Sequence, residues 1–239
     1  MSSEDPNPAT PAIADRLATI SERIHAACRR SGRDPESVTL VGVSKRQPID
    51  RMRAAYAAGL RTFGENQVQE GVAKCSELPT DIDWHFIGHL QSNKAKAAAR
   101  HFGTIHSIDR VKIAQRLDRE AALLGRTLKI FVQINIGREP SKSGFEPEGF
   151  VEAVAPLATL EHLAPLGLMA LPPYEDDPEK ARDWFRRLRE LRDLLLEQPA
   201  WARCPGLLSM GMSHDFELAI EEGATHVRVG TSIFGRRPS

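Results

Sequence analysis

Residues 39–64 read TLVGVSKRQPIDRMRAAYAAGLRTFG and contain two short apolar segments on either side of one amphipathic segment. The apolar segments, 39–44 and 60–64, have the length and character of buried strands. Residues 48–58 have helical spacing and stop at Gly59, a residue typical of helix ends. A strand, a helix and a second strand in this order predict two parallel strands joined by a right-handed crossover.

The same alternation continues to the end of the chain. We predict further strands at 84–88, 104–108, 128–135, 163–170, 206–210 and 225–230. We predict further helices at 66–77, 91–101, 109–124, 147–157, 177–197 and 213–222, with an additional amphipathic helix at 11–31 before the first strand. Eight strands separated by seven helices in 239 residues favour a single (β/α)8 TIM-type barrel of the α/β class with an extra N-terminal helix.

An open doubly wound sheet is the structural alternative to the barrel. It is disfavoured because no GxGxxG pattern follows the first strand. The polar, proline-rich residues 1–9 predict a disordered tail, and no change in composition marks a second domain. We therefore expect a single domain over residues 10–239.

Composition restricts the partners and the compartment. The chain has 32 Lys and Arg against 32 Asp and Glu, so no basic excess argues for nucleic acid or an anionic membrane. No apolar run reaches membrane-spanning length, and the N-terminus has no signal-peptide pattern. Three scattered cysteines form neither a CxxC pair nor a metal-ligand cluster. We expect a monomeric cytoplasmic protein without a metal site.

The first strand leads directly into Lys45. In parallel barrels the reactive groups lie at the carboxyl ends of the strands. A lysine at a partly desolvated barrel mouth has a lowered pKa, and its neutral amine can attack an aldehyde. The plain alternative is a lysine that extends from the strand end into solvent. From this feature alone, the plain alternative is favoured.

Two loops near the C-terminus combine small residues, hydroxyl groups and the start of a helix. Ser213 follows the seventh strand, and Gly230 and Thr231 follow the eighth. Free backbone N–H groups at such positions bind phosphate, and barrels often hold a phosphate after strands seven and eight. The alternative is that Ser213 and Thr231 only cap helices. Two neighbouring loops of this kind favour phosphate.

Arg228 lies within the eighth strand between Val227 and Val229. Because a buried unpaired charge is too costly, this arginine needs a partner or an opening. It could bind a phosphate, pair with a carboxylate or face a ring nitrogen. Beside a pyridine nitrogen, a guanidinium would keep that nitrogen unprotonated and weaken the ring as an electron sink.

Polar residues also follow the second strand and occupy the third. Asn66 offers both a donor and an acceptor to a ligand, whereas the alternative is that Glu65 or Asn66 caps the next helix. The third strand contains His85, followed by His89. No partner lies at metal-site spacing, and a buried, hydrogen-bonded His85 is favoured over a catalytic one.

These segments resemble the pyridoxal phosphate homeostasis protein family, and the resemblance covers nearly all of the chain after the first helix. The segments that carry it are 43–45 VSK, 63–70 FGENQVQE, 84–94 WHFIGHLQSNK, 134–136 INI, 141–144 SKSG, 167–169 GLM, 208–213 LSMGMS and 227–230 VRVG. Each segment alone is weak evidence, but the set is highly specific.

The resemblance implies a barrel like the N-terminal domain of alanine racemase, with pyridoxal 5′-phosphate (PLP) as the cofactor. It implies an internal aldimine at Lys45, a ring neighbour in Asn66, phosphate ligands in Ser213, Gly230 and Thr231, and a pyridine-nitrogen partner in Arg228. The implied function is intracellular PLP (vitamin B6) homeostasis without an established catalytic reaction. PLP-dependent apo-enzymes are the candidate recipients of the cofactor.

Two further lysine positions bear on the comparison with the family. A second lysine two positions after the aldimine lysine is common in the family, but this chain has Gln47 there. The departure puts in doubt an auxiliary role of that position, such as cofactor hand-off. Lys142 matches another lysine that the family retains, and its plain alternative is a loop salt bridge.

Two enzymatic hypotheses remain beside the carrier. A PLP-dependent racemase or decarboxylase with weak activity would need a second base, and Tyr56 and Tyr174 are the only tyrosines. A class I aldolase would also use a barrel lysine and a phosphate site, but without a cofactor.

Overall fold

The structure, a computed structural model, describes residues 12–235 apart from the side chain of Pro178. These residues contain eight strands and nine α-helices. The strands are β1 (Thr39–Val43), β2 (Thr62–Glu65), β3 (Asp83–Phe86), β4 (Thr104–Ile108), β5 (Leu128–Ile134), β6 (Leu163–Ala170), β7 (Leu207–Met212) and β8 (His226–Val229). The helices are α1 (Ile13–Arg30), α2 (Ile49–Ala57), α3 (Val68–Cys75), α4 (Ala95–His101), α5 (Val111–Leu123), α6 (Phe150–Val154), α7 (Pro178–Leu196), α8 (Phe216–Glu221) and α9 (Thr231–Phe234).

The strands form a closed parallel barrel in the order of the chain. β1 closes the ring by pairing with β2 on one side, Gly42 opposite Phe63, and with β8 on the other, Val41 opposite Arg228. This closure confirms the (β/α)8 prediction. The helices surround the barrel, and the main apolar cluster lies between the two layers.

α1 is the predicted additional helix. Its buried face includes Leu17, Ile20 and Ile24, and the guanidinium of Arg23 lies 4.6 Å from the ring of Phe216 in α8. The predicted start of this helix at residue 11 lies outside the described residues, as does the predicted tail 1–9. The domain boundaries 10–239 stay a prediction for the same reason.

Several predicted boundaries are wrong by two to four residues, the largest error being the helix predicted from residue 91, which begins at Ala95. β7 continues to Met212 because Gly211, at φ +90°, allows an irregular register with β8 beyond Ser209. α8 begins at Phe216 and not at residue 213, because the Asp215 side chain accepts a hydrogen bond from the Met212 N–H and closes a turn before the helix. The glycine stop predicted at Gly59 is confirmed by its φ of +100°.

Among residues 12–235, no group of His, Cys, Asp or Glu side chains is arranged to hold a metal ion. In the same part of the chain, no helix combines the length and the apolar character needed to cross a membrane.

Candidate functional site

A cavity of about 540 Å³ opens at the carboxyl ends of the strands. All six residues predicted from the sequence line it, and they come from the ends of β1, β2, β7 and β8. They are Lys45, Asn66, Ser213, Arg228, Gly230 and Thr231. The closed barrel thus places side chains from distant parts of the sequence around one space.

Lys45 lies in a tight turn directly after β1. The N–H of Gln47 donates to the carbonyl of Ser44 at 3.0 Å, so Ser44 and Gln47 flank a turn with Lys45 and Arg46 at its centre. Arg46 has φ +57°, a left-handed conformation that few non-glycine residues adopt. Lys45 is half-buried and lines the cavity.

A buried ionic cluster of Glu65, Glu70 and Lys74 contacts this turn. The Ser44 hydroxyl donates to Glu65 Oε1 at 2.6 Å, and Lys74 Nζ donates to the Ser44 carbonyl and to Glu65 Oε1, both at 2.7 Å. Lys74 also bonds Glu70, whose carboxylate accepts from the Arg46 N–H. The backbone on both sides of Lys45 is therefore bonded to one cluster.

The sequence reasoning missed this cluster. The capping alternative for Glu65 is wrong: α3 has Gln67 at its N-cap without a side-chain cap, and the Glu65 side chain turns inward instead. Glu70 and Lys74 lie four positions apart on one helix face, and this i,i+4 spacing is the sequence signal that indicates an ion pair.

Burial decides the electrostatics of the cluster. Glu65 is fully buried, and this raises the pKa of its carboxyl group, while the charge of Lys74 opposes the shift. Within the described residues, Glu65 Oε2 is buried without a hydrogen-bond partner. The pair therefore depends on Lys74, since a buried carboxylate without its cation is strongly destabilising.

The loops after β7 and β8 meet at Ser213. Its hydroxyl oxygen accepts a hydrogen bond from the Gly230 N–H at 3.3 Å, so the hydroxyl proton can be donated to a ligand. Neither predicted capping role is seen: the N-cap of α8 is Asp215, and that of α9 is Gly230, with no side-chain cap from Thr231. Ser213 and Thr231 line the cavity instead.

Gly230 also permits the close approach of two strands. A Cβ atom at this position would lie 3.2 Å from the carbonyl oxygen of Val43 in β1. Since β1 carries Lys45 at its end, the absence of a side chain at Gly230 keeps the two predicted parts of the site together.

Arg228 is buried, with only 4% of its surface exposed, and it lines the cavity. Its guanidinium donates from Nη1 to Ser209 Oγ at 2.6 Å and from Nη2 to the Ala170 carbonyl at 2.8 Å. Burial lowers the pKa of Arg228 to about 10, and Asp215 opposes the shift, so the group is charged at neutral pH. In the described part of the chain no carboxylate forms an ion pair with it.

Other cavity residues were not predicted as ligands. His89 places Nδ1 at 2.9 Å from Asp109 Oδ2 and at 3.1 Å from Ser143 Oγ. Gln47 is buried and accepts a hydrogen bond from Arg51 at 3.1 Å. Because the buried carboxylate holds one side of the His89 ring, the other ring nitrogen is directed away from it.

Lys142 forms the loop contacts expected of the plain alternative. Its ammonium pairs with Glu139 and donates to the carbonyls of Leu171 and Pro172 at 3.3 and 3.1 Å. The salt-bridge interpretation is confirmed, although Lys142 also lines the cavity.

Comparison with known families places these features in context. The family described as alanine racemase, N-terminal domain, matches residues 16–238. The pyridoxal phosphate homeostasis protein of Aquifex aeolicus is 44% identical over 224 residues, which cover 93% of this chain and 97% of that protein. The protein of the same name from Pseudomonas aeruginosa is 45% identical over 229 residues, with 94% and 96% coverage.

Solved structures give the same picture. The structure of PipY from Synechococcus elongatus with PLP bound superposes with a TM-score of 0.81 at 41% identity and covers 93% of this chain and all of that one. An alanine racemase of Clostridium difficile has a TM-score of 0.73 at 17% identity, covering 94% of this chain but 58% of the racemase. The second likeness concerns the fold alone.

Proposed function

The chain belongs to the pyridoxal phosphate homeostasis proteins, and from this premise we propose that it binds PLP reversibly in the cavity at Lys45 and serves intracellular vitamin B6 homeostasis. The observation that carries the proposal is the meeting of all six predicted site residues around one cavity. A volume of about 540 Å³ lies within the usual range of small-molecule sites.

The chemistry of the lining fits the three parts of PLP. Ser213 and Thr231 present hydroxyls at the meeting of two loops, where an anionic phosphate needs donors. Lys45 offers the amine that bonds an aldehyde carbon, and one water leaves when that link forms. Arg228 presents a buried cationic donor, which fits an unprotonated pyridine nitrogen, and Asn66 lies beside the same space.

The residues around the cavity support the binding of PLP more than catalysis with it. Bound PLP supplies an electron sink for amino-acid chemistry, and a guanidinium at the ring nitrogen weakens that sink. The Tyr56 hydroxyl donates to Asp81 on the outside of the barrel, at 2.7 Å. Tyr174 is 71% exposed and lies against the His214 ring. Neither tyrosine lines the cavity, so we propose a carrier and not an enzyme.

The proposal extends to the form and location of the protein. Only four large apolar side chains are exposed among the described residues, which supports a monomer: Leu123, Leu124, Tyr174 and Leu194. The three cysteines are free thiols, as expected in the reducing cytoplasm. PLP-dependent apo-enzymes are the proposed recipients.

The attachment is tested by reconstituting the purified protein with PLP. We expect a visible absorption band of a lysine-bound pyridoxal, and borohydride reduction followed by peptide mass mapping should place the label on Lys45. Lys45→Ala should lose the band, whereas the exposed-lysine control Lys96→Ala should keep it. A protein that cannot be reconstituted would favour the aldolase alternative.

The carrier role is tested separately from the attachment. The PLP-loaded protein is incubated with single enantiomers of amino acids, and racemisation and decarboxylation are measured against free PLP. Catalytic turnover well above that of free PLP contradicts the carrier. Transfer of PLP to an apo-enzyme faster than release into buffer supports it, and light scattering reports the oligomeric state.

A further inference from the structure

A continuous row of hydrogen bonds, buried except at its Asp83 end, runs through the barrel interior to the cavity. It begins at Asp83, where Oδ2 lies 3.0 Å from His85 Nε2, and His85 Nδ1 lies 2.9 Å from His106 Nε2. His106 Nδ1 lies 2.8 Å from Ser209 Oγ, which accepts from Arg228 Nη1 at 2.6 Å. We call these five residues the core chain.

With both imidazole rings neutral, the Asp83 end of the core chain determines the direction of every hydrogen bond in it. The Asp83 carboxylate can only accept, so His85 donates from Nε2, and the unprotonated His85 Nδ1 accepts from His106 Nε2. His106 Nδ1 then accepts from the Ser209 hydroxyl, whose oxygen accepts from Arg228. Both histidines are then Nε2–H tautomers.

Burial favours the same assignment. His85, His106 and Ser209 are at most 2% exposed. Desolvation holds the pKa of His106 well below its ordinary value, and the hydrogen bond from His85 lowers the pKa of Asp83. Neutral imidazoles between a guanidinium and a carboxylate leave all bond dipoles aligned, an arrangement in which neighbouring hydrogen bonds strengthen one another.

The core chain ends at opposite faces of the barrel. Asp83 is the first residue of β3, so it lies at the amino-terminal face, where its side chain is 49% exposed. Arg228 lies near the end of β8 and lines the cavity at the carboxyl-terminal face. The Ser209 hydroxyl is the side-chain acceptor of Arg228, and its orientation depends on His106.

We propose that the core chain is a positioning device for the cofactor site, which holds the Arg228 guanidinium in one plane and directs its remaining donors into the cavity. Two bonds from different nitrogens, to Ser209 and to the Ala170 carbonyl, define the plane of a rigid guanidinium. Ser209, His106, His85 and Asp83 are thus positioning residues. The identity of the ligand rests on the proposed function, but the bond directions do not.

The bond directions are tested on the protein without any ligand. Long-range ¹H–¹⁵N NMR correlations of the imidazole rings at pH 7 should show His85 and His106 as neutral Nε2–H tautomers. An Nδ1–H tautomer or an imidazolium at either residue overturns the proposal. This measurement does not depend on whether the protein binds PLP.

The positioning role is tested with Ser209→Ala and His106→Phe. Each variant should weaken PLP binding about tenfold, the loss expected for one hydrogen bond to a charged group. The pH midpoint of the visible band should move by about one unit, because the Arg228 charge shifts its position relative to the ring. A purely structural role would lower the melting temperature without moving that midpoint.

His226→Asn is the matched control. His226 is buried, with its ring 6.0 Å from that of His85, but its Nδ1 bonds Thr225 and not the core chain. The control should keep the wild-type midpoint. Wild-type midpoints and affinities in Ser209→Ala and His106→Phe overturn the proposal. A wild-type protein that binds no PLP refutes the proposed function, while the tautomers still decide the bond directions.

Discussion

The ammonium nitrogen of Lys74 lies 2.7 Å from the carbonyl oxygen of Ser44, the residue that precedes Lys45. The same nitrogen bonds the buried carboxylate of Glu65. A cation on α3 therefore supports the turn that presents Lys45 to the cavity. The position of Lys45 depends on an ion pair that does not itself reach the cavity.

Removing the cation should leave Glu65 as an uncompensated buried charge. We expect Lys74→Met to lower the free energy of unfolding by about 3–5 kcal/mol. The double variant Glu65→Leu with Lys74→Met should recover most of that loss, because an apolar pair avoids both desolvation costs. Urea denaturation measures both, with Lys96→Met as the exposed control, and a double variant as unstable as the single one contradicts the explanation.

Ser213 should discriminate between ligands with and without a phosphate. We expect Ser213→Ala to weaken PLP about tenfold, because a charge-assisted hydrogen bond is lost. Binding of pyridoxal, which has no phosphate, should stay as in the wild type. Fluorescence titration with both ligands provides the comparison, and Ser76→Ala is a control on the outer surface. Equal losses for the two ligands would place the phosphate elsewhere.

Gly88 should be intolerant of a side chain. A Cβ atom there would lie 2.2 Å from the backbone oxygen of Asn66, so the cavity wall must move. We expect Gly88→Ala to destabilise the fold by about 1–3 kcal/mol and to weaken PLP binding. In Gly42→Ala the contact is the end of the Leu60 side chain, which can rotate. Thermal unfolding and PLP titration should therefore show larger losses of stability and affinity for Gly88→Ala than for Gly42→Ala. The reverse order would be evidence against this packing.

Stability should fall as the pH decreases below about 6.5. Burial lowers the pKa of His226 from an ordinary value of 6.5 to about 3, so the unfolded chain binds a proton in this window and the native one does not. One such group gives a slope of about 1.4 kcal/mol per pH unit. The raised pKa of Glu65 acts in the opposite direction. Because Glu65 is present in the wild type and in a His226 variant alike, its contribution cancels when the two are compared.

The comparison of slopes isolates this effect. His226→Asn should flatten the dependence by about 1.4 kcal/mol per pH unit between pH 6 and pH 5, measured by urea denaturation at each pH. His106, whose pKa is also lowered by burial, should leave a residual slope. Superimposable slopes for variant and wild type would show that His226 is protonated in the native state.

The periodicity of the sequence was sufficient for the architecture. Alternating short apolar segments and amphipathic segments, separated by glycines such as Gly59, specify parallel strands and crossover helices through local physics. The predicted strands at 104–108 and 163–170 coincide with those observed. The errors lie at the ends of elements, such as the start of α8, where the Asp215 side chain closes a turn before the helix.

In the candidate site, too, some residues can be predicted from the sequence and others only from the tertiary structure. Lys45, Ser213 and Arg228 could be proposed as site residues from the sequence, because residues at the carboxyl ends of parallel strands converge whatever the details of packing. For Lys45 the strand end alone was insufficient, and the family resemblance was needed as well. The supports of Lys45 and Arg228 could not, because Lys74, His106 and Ser209 reach them through hydrogen bonds between elements far apart in the chain. Strand order and residue types are properties of the linear pattern. The partner of a buried charge is decided only when the closed barrel excludes water and leaves each polar group the few neighbours that packing provides.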